Sequence, residues 1–275
     1  MSGLPMVGNL LSLDPELHSY FASMARTYGL IHTLRLGSKV SIVVTSPAIA
    51  REVLKDHDTI FANRDVPHVI TAIEYGGRDI VFTPYGSEWR MLRKVCVRDM
   101  LGSSTLDAVY TLRRQEIRKT IGFLYWQAGQ PVNIGEQMFL TVLNVITSML
   151  WGGTVQEKES SRIGAEFWQV VGEVTGLLGK PNVSDFFPGL AWLDMQGIRK
   201  QMKGLAQRFD RIFDKVINQR IKMDKQGIIS KESKDFLQVL LQLKDAGDSK
   251  TPLTMIHLKA LLMVCFPIST VHVYQ

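Results

Sequence analysis

Tyr85-Gly86-Ser87-Glu88-Trp89-Arg90-Met91-Leu92-Arg93-Lys94 is the stretch on which the reading of this chain turns. Its pattern predicts a helix over Gly86 to Leu101. Residues four apart share a helix face, so Trp89 and Arg93 project together, while Arg90, Lys94 and Arg98 form a second, basic row. Read for packing alone, Trp89 is a core anchor and the basic residues are a solvated surface. Read for chemistry, a fixed indole N–H and a guanidinium fork are donors suited to a carboxylate-bearing cofactor. The basic row then suits an acidic partner protein.

Upstream, Leu30, His32, Leu34 and Leu36 alternate with Ile31, Thr33 and Arg35, and Gly37-Ser38 leads into the β-branched run Lys39 to Val44. That is the pattern of a β-hairpin over about residues 28–45. Ser46-Pro47 opens a helix running to about His57, with Ser46 as N-cap and Ile49, Val53 and Leu54 as its apolar stripe. From Val66 to Thr83 the periodicity is lost and Pro67, Gly76 and Gly77 appear, which predicts a long shaped loop of the kind that often carries function.

Downstream of Pro84 helices dominate. One is expected from Thr105 to Gln127, on the spacing of Leu112, Ile117, Ile121 and Leu124, and another from Ile134 to Leu150, ended by Gly152-Gly153. A third covers Ile163 to Leu178. After the irregular Gly179 to Trp192, Leu205, Phe209, Ile212, Phe213 and Val216 define a long amphipathic helix with a basic outer face. Phe236, Leu237, Leu240, Leu241 and Leu243 mark a further helix, and a last one starts near Thr254 and runs through Leu258, Leu261 and Leu262. The expected fold class is mainly α with a small N-terminal β-sheet, and residues 46–263 are mostly helical.

At 275 residues, 45% hydrophobic and 21% charged, the composition is that of a globular chain. The longest apolar stretches, Leu140 to Trp151 and Leu261 to Ile268, fall short of the roughly 18 residues a membrane span requires. Neither a transmembrane helix nor a secretory signal is expected, so the chain as written starts in water. The net charge of +6 is spread along helices among acids, which argues against nucleic acid as a partner and for a basic docking face. Cys96 and Cys265 lack metal or disulfide spacing and fit reducing surroundings. His18, His32, His57, His68, His257 and His272 are scattered and read as surface or packing residues. HExxH, GxGxxG, GxxxxGK(S/T) and GxSxG are all missing, so no metal centre made of side chains is expected.

Taken in order, these motifs resemble the cytochrome P-450 superfamily of haem-thiolate monooxygenases, and most closely its plant microsomal members. The resemblance spans nearly the whole chain. Gly3-Leu4-Pro5-Met6-Val7-Gly8-Asn9 resembles the end of the proline-rich hinge, and Tyr28-Gly29 leads into the first sheet. Ser46-Pro47 with Ala50 to Leu54 resembles the second helix, followed by Phe61-Ala62-Asn63-Arg64. Asp79 to Gly86 then enters the WxxxR helix, here Trp89 and Arg93. WxxxR alone is a weak motif, but the ordered set is highly specific. The resemblance implies that Trp89 and Arg93 contact the haem propionates. It implies that Val69, Ile70, Ile73 and Phe82, in the loop from Val66 to Phe82, contact an apolar small-molecule substrate. Arg90, Lys94 and Arg98 would face an NADPH-dependent flavoprotein reductase. Val170 to Leu190 resembles the segment that roofs the pocket and makes peripheral membrane contact, with Leu177, Leu178, Phe186 and Phe187 as its apolar surface. The family works on the cytosolic face of the endoplasmic reticulum membrane, and this chain is expected to lack its anchor.

The resemblance stops near Met263. The family's central helix continues into an (A/G)GxDT(S/T) signature, whereas this chain reads Val264-Cys265-Phe266-Pro267 and runs on through a divergent tail, 264–275. Pro267 is expected to break the helix. The ExxR pair and the cysteine loop that holds iron do not follow, so no catalytic residue and no axial cysteine are expected in this chain. Both cysteines read as structural thiols. Because the family's chemistry depends on thiolate ligation, the expectation is the N-terminal portion of a haem-dependent monooxygenase that is inactive by itself. The rival expectation is a non-catalytic truncated paralogue, acting as a helical binding or membrane-surface protein, or simply unstable.

Overall fold

The computed structural model describes residues 3–73, 75, 78–152, 157–227, 235–246 and 251–264. Gly76, Gly77, Gly153, Cys265 and the divergent tail beyond Val264 lie outside the described residues. The fold is mainly helical with a small antiparallel sheet, as the pattern predicts.

Strands β1 (Ile31–Leu36) and β2 (Lys39–Val44) pair with Ile31 opposite Val44 and Leu36 opposite Lys39. The period of two sends His32 and Leu34 inward and leaves Ile31, Val40 and Ile42 exposed on the other face. Gly37 makes the turn with φ +63°, and a Cβ there would meet the Phe186 carbonyl oxygen at 2.6 Å. Both the backbone conformation and the close approach therefore demand glycine. The Ser38 N–H and hydroxyl donate to that same carbonyl at 2.9 and 2.7 Å, which ties the hairpin to a segment 148 residues away.

Helix α1 (Leu17–Tyr28) precedes the hairpin and α2 (Pro47–Arg51) follows it, widening into a π turn over Glu52–Asp56. Pro47 occupies the first turn, but the Ser46 side chain makes no capping bond, contrary to the expectation. The loop after Asn63 contains one short turn, Ile70–Ala72. Helix α3 (Ser87–Lys94) also widens into a π turn, Val95–Met100, with Leu101 N–H bonded to the Cys96 carbonyl at 2.9 Å. The helix expected from Thr105 to Gln127 is broken at Val109 into α4 (Ser103–Ala108) and α5 (Tyr110–Trp126).

α6 (Ile134–Trp151) begins at Asn133, whose side chain accepts from the Glu136 N–H. α7 (Glu157–Leu178) starts a turn and a half earlier than Ile163. A short α8 (Val183–Phe186) and the turn Pro188–Leu193 lead to α9 (Ile198–Lys225), α10 (Phe236–Ala246) and α11 (Met255–Val264).

The core forms where α6, α7 and α9 meet. Phe209 and Phe213, four apart on α9, stack at 5.8 Å, and Phe167 of α7 meets Phe209 edge-on at 5.3 Å. Trp151 closes the cluster against Phe167 at 5.2 Å. The stripe read on α9 is buried throughout, as are Phe236, Leu237, Leu240 and Leu241 of α10. α5 differs: Leu112 is buried, but Ile117 and Ile121 are 49% and 61% exposed, because the seam with α6 is made instead by Thr120 and Thr141, whose hydroxyls bond at 2.8 Å. Phe213→Ala is expected to lower unfolding stability by about 3–5 kcal/mol. Trp126→Ala, at a side chain 84% exposed, should stay within about 0.5 kcal/mol. Chemical denaturation followed by circular dichroism measures both.

Candidate functional site: the Trp89–Arg93 helix

The approach to α3 is built by one carboxylate. Asp79 is buried, and its Oδ1 accepts the N–H groups of Val81 and Phe82, each at 2.7 Å. Burial raises its pKa, with the two N–H bonds working in the opposite direction. The turn so formed presents the Ile80 carbonyl to Trp89, whose indole N–H donates to it at 3.1 Å. Trp89 is thereby fixed and half-buried, with the Tyr85 ring 5.4 Å away. Arg93, one turn on, lays its guanidinium over the Trp89 ring at 5.4 Å, and Arg90 does the same over Tyr85 at 5.5 Å. A cleft of about 370 Å³ opens beside them, lined by Leu54, Phe61, Arg64, Tyr85 and Trp89 among others.

The other side of α3 is anchored by a contact that spacing arguments missed. His257 is buried on α11, and its Nδ1 accepts the Thr254 N–H at 3.1 Å while Thr254 Oγ1 accepts the His257 N–H at 3.3 Å. This is a capping box with histidine in the place usually taken by Glu or Gln. With Nδ1 accepting, the ring proton is on Nε2, which donates to Glu88 Oε1 at 2.6 Å. His257 is thus a bonded bridge between α11 and the WxxxR helix. The threonine three residues before it was the available signal; the partner 169 residues away was not.

The residues assigned to the substrate lie elsewhere. Val69, Ile70 and Ile73 are buried in the main core, with the Ile70–Ala72 turn packed against α9, and Phe82 is half-buried against the same cluster. None of the four lines the cleft beside Trp89. Their loop is pinned by Tyr75, at φ +50°, whose hydroxyl donates to Asp210 Oδ1 of α9 at 2.9 Å. Burial and the Asp210 charge both raise the tyrosine pKa, so it remains the donor. Lys259 of α11 reaches the same Asp210 at 2.9 Å and Asp214 at 2.7 Å. Its burial works against the charge, but the two aspartates outweigh it and the net shift is upward.

Arg90, Lys94 and Arg98 are all exposed, and Arg98 lies beyond the start of the π turn, so it is rotated out of the straight row expected of an α-helix. Cys96 is half-buried and its thiol is pushed up to about 11 by burial, so it is protonated near neutrality. Among the described residues no group of three or more His, Cys, Asp or Glu side chains is placed to hold a metal. No described helix is long and apolar enough to cross a membrane.

The family model for cytochrome P-450 matches residues 1–267. The chain is 35% identical over 272 residues to a flavonoid 3'-monooxygenase of Petunia hybrida, covering 97% of this chain and 52% of that protein. It is 34% identical over 274 residues to a flavonoid 3'-monooxygenase of Crocosmia x crocosmiiflora, covering 98% of this chain and 53% of the relative. A premnaspirodiene oxygenase of Hyoscyamus muticus is 33% identical over 273 residues, with 97% and 53% covered. The chain therefore spans about half the length of the curated relatives it matches. Among solved structures, a zebra fish cytochrome P-450 with progesterone superposes with a TM-score of 0.73 at 20% identity, over 93% of this chain and 56% of that one, a likeness of fold.

A haem fits part of this site. The Arg93 guanidinium is exposed, braced on an aromatic face and without an ion pair among the described residues, as a receptor for a propionate would be. The Trp89 N–H is already engaged by Ile80 and would have to be shared. Asp79→Ala, which removes two bonds to a buried carboxylate, is expected to destabilise the protein by about 2 kcal/mol, read from denaturant midpoints. A double-mutant cycle of Glu88→Ala and His257→Ala should return a coupling of about 1–3 kcal/mol by the same measurement. A family model matched along nearly the whole length and plant oxygenases at about one-third identity agree on one conclusion: the chain belongs to the cytochrome P-450 family.

Proposed function

We propose that this chain forms the propionate-binding wall, the roof and the reductase-facing helix of a haem monooxygenase that oxidises an apolar small molecule. The observation that carries the reading is the Arg93 guanidinium held over the Trp89 ring at 5.4 Å with no ion pair among the described residues. In this reading Arg93 binds a propionate carboxylate, and Trp89 orients Arg93 while the Asp79 turn and the Glu88–His257 bond hold the helix beneath them. Haem, when bound, supplies the activation of dioxygen that no side chain here provides. Val69, Ile70, Ile73 and Phe82 pack the loop that shapes the substrate space. The exposed Arg90, Lys94 and Arg98 receive an NADPH-dependent flavoprotein reductase through its acidic groups. The names of the relatives, flavonoid 3'-monooxygenases and a premnaspirodiene oxygenase among them, support a phenolic or terpenoid substrate.

The proposed location is the cytosolic face of the endoplasmic reticulum membrane. The apolar surface for that contact is Leu190, Trp192, Leu193 and Met195, all exposed, rather than Leu177, which is buried, or Phe186 and Phe187, which are half-buried; Leu178 is 38% exposed. By itself the chain is proposed to be inactive, since Cys96 lies half-buried in the helical Val95–Met100 turn and neither it nor Cys265 has the sequence of the family's iron-holding cysteine loop.

A second reading, a helical binding protein, is favoured by the exposed apolar side chains of α5 and β2, namely Ile117, Ile121, Val40 and Ile42. The chain supplied with haem separates the two. Titration should show Arg93→Ala weakening haem uptake about tenfold, and the reduced carbon monoxide difference spectrum should lack a thiolate-type Soret band. Equal haem affinity in the variant would remove Arg93 from the site, and a thiolate-type band would overturn the claim of inactivity.

A further inference from the structure

A groove of about 700 Å³ runs between α7 and α9, apart from the Trp89 site. Its walls carry three cations, Lys180, Arg208 and Arg211, against one carboxylate, Glu173. Gly176 and Gly204 line the groove and face open space, with nothing within 4 Å of where a Cβ would stand, and Leu177 and Leu205 add apolar lining. Arg208 is paired with Glu173 at 3.0 Å, but Lys180 and Arg211 have no carboxylate partner among the described residues. The acids of the same stretch of α9, Asp210 and Asp214, are held by Lys259 and do not neutralise the groove.

The segment joining the two walls adds a second property. Gln196 ties its ends together, accepting the Val183 N–H at 2.8 Å and donating to the Pro181 carbonyl at 2.9 Å, directly beside Lys180. Between those ties Trp192 is 77% and Met195 63% exposed, with Leu190 and Leu193 beside them in sequence. A basic, glycine-lined groove adjoining an exposed Trp and aliphatic loop combines a seat for an anion with a surface for hydrocarbon.

We propose that the α7–α9 groove binds the phosphate head group of an anionic phospholipid, with Arg208 and Arg211 as forks on the phosphate, Lys180 as a further cation, and the Trp192 loop entering the acyl region. Glu173 competes with the phosphate for Arg208. The inference deepens the membrane placement proposed above and requires no haem, so its failure leaves the haem titration untouched.

The test is co-sedimentation of the chain with vesicles of phosphatidylcholine, with and without phosphatidic acid. Association is expected only with phosphatidic acid present. It should fall roughly tenfold to thirtyfold in Arg208→Gln/Arg211→Gln and rise about fivefold in Glu173→Gln, on the scale of one charge near an anionic surface. Trp192→Ser should weaken vesicle binding while leaving unchanged the binding of soluble glycerol 3-phosphate, measured by calorimetry. Lys222→Gln, an exposed charge on α9 outside the groove, should bind like the unaltered chain. Equal loss in Lys222→Gln would overturn the site in favour of diffuse attraction. Binding of glycerol 3-phosphate without vesicle binding would overturn the lipid assignment, and binding of neither would overturn the groove as an anion site.

Discussion

Along α9 the side chains of Met202, Leu205, Phe209, Ile212, Phe213, Val216 and Ile217 are buried in one continuous stripe, and Phe209 and Phe213 interlock with Phe167 and Trp151. Interiors pack at crystal-like density, so a stripe of this length dictates where its neighbours sit. The Ile70–Ala72 turn rests on α9, and Tyr75 and Lys259 converge on its Asp210. Through Lys259 the position of α11 is set, and through His257 α11 sets α3. The exposed Arg93 is thus the last member of a chain of contacts that begins in the aromatic cluster.

Features carried by local spacing were legible. The α9 stripe, the hairpin with Gly37 at its turn, and the pairing of Trp89 with Arg93 follow from periods of 3.6, 2 and 4 residues, and the structure keeps them. Features decided by distant partners were not. Ile117 and Ile121 have the spacing of a core stripe, yet the α5–α6 seam is closed by two threonines and leaves them outside. The break at Val109 and the two π turns are invisible to a pattern that assumes one helical period. Glu88 and His257 are ordinary residues in their own neighbourhoods, and only the tertiary fold brings them to 2.6 Å.

The net charge of +6 also acquires a layout that composition could not express. Asp79 spends its acceptors on backbone N–H groups, Glu88 on a histidine, and Asp210 and Asp214 on Lys259. Acids engaged by these partners leave the cations on the exposed face of α3 and along the α7–α9 groove in excess. Two separate basic surfaces emerge from one modest excess, without any basic run in the chain.

The π turn at Val95–Met100 bears on how this helix tolerates change. A turn closed by bonds to the fifth residue holds one more residue than an α turn needs. Loss of a single residue there lets the backbone tighten to ordinary α geometry while Trp89 and Arg93, upstream, keep their stations. The same loss within residues 90–92, between the two, would rotate Arg93 off the indole by about 100°. Length variation in this helix is therefore confined by its own geometry to the stretch after Lys94, where slack is already built in.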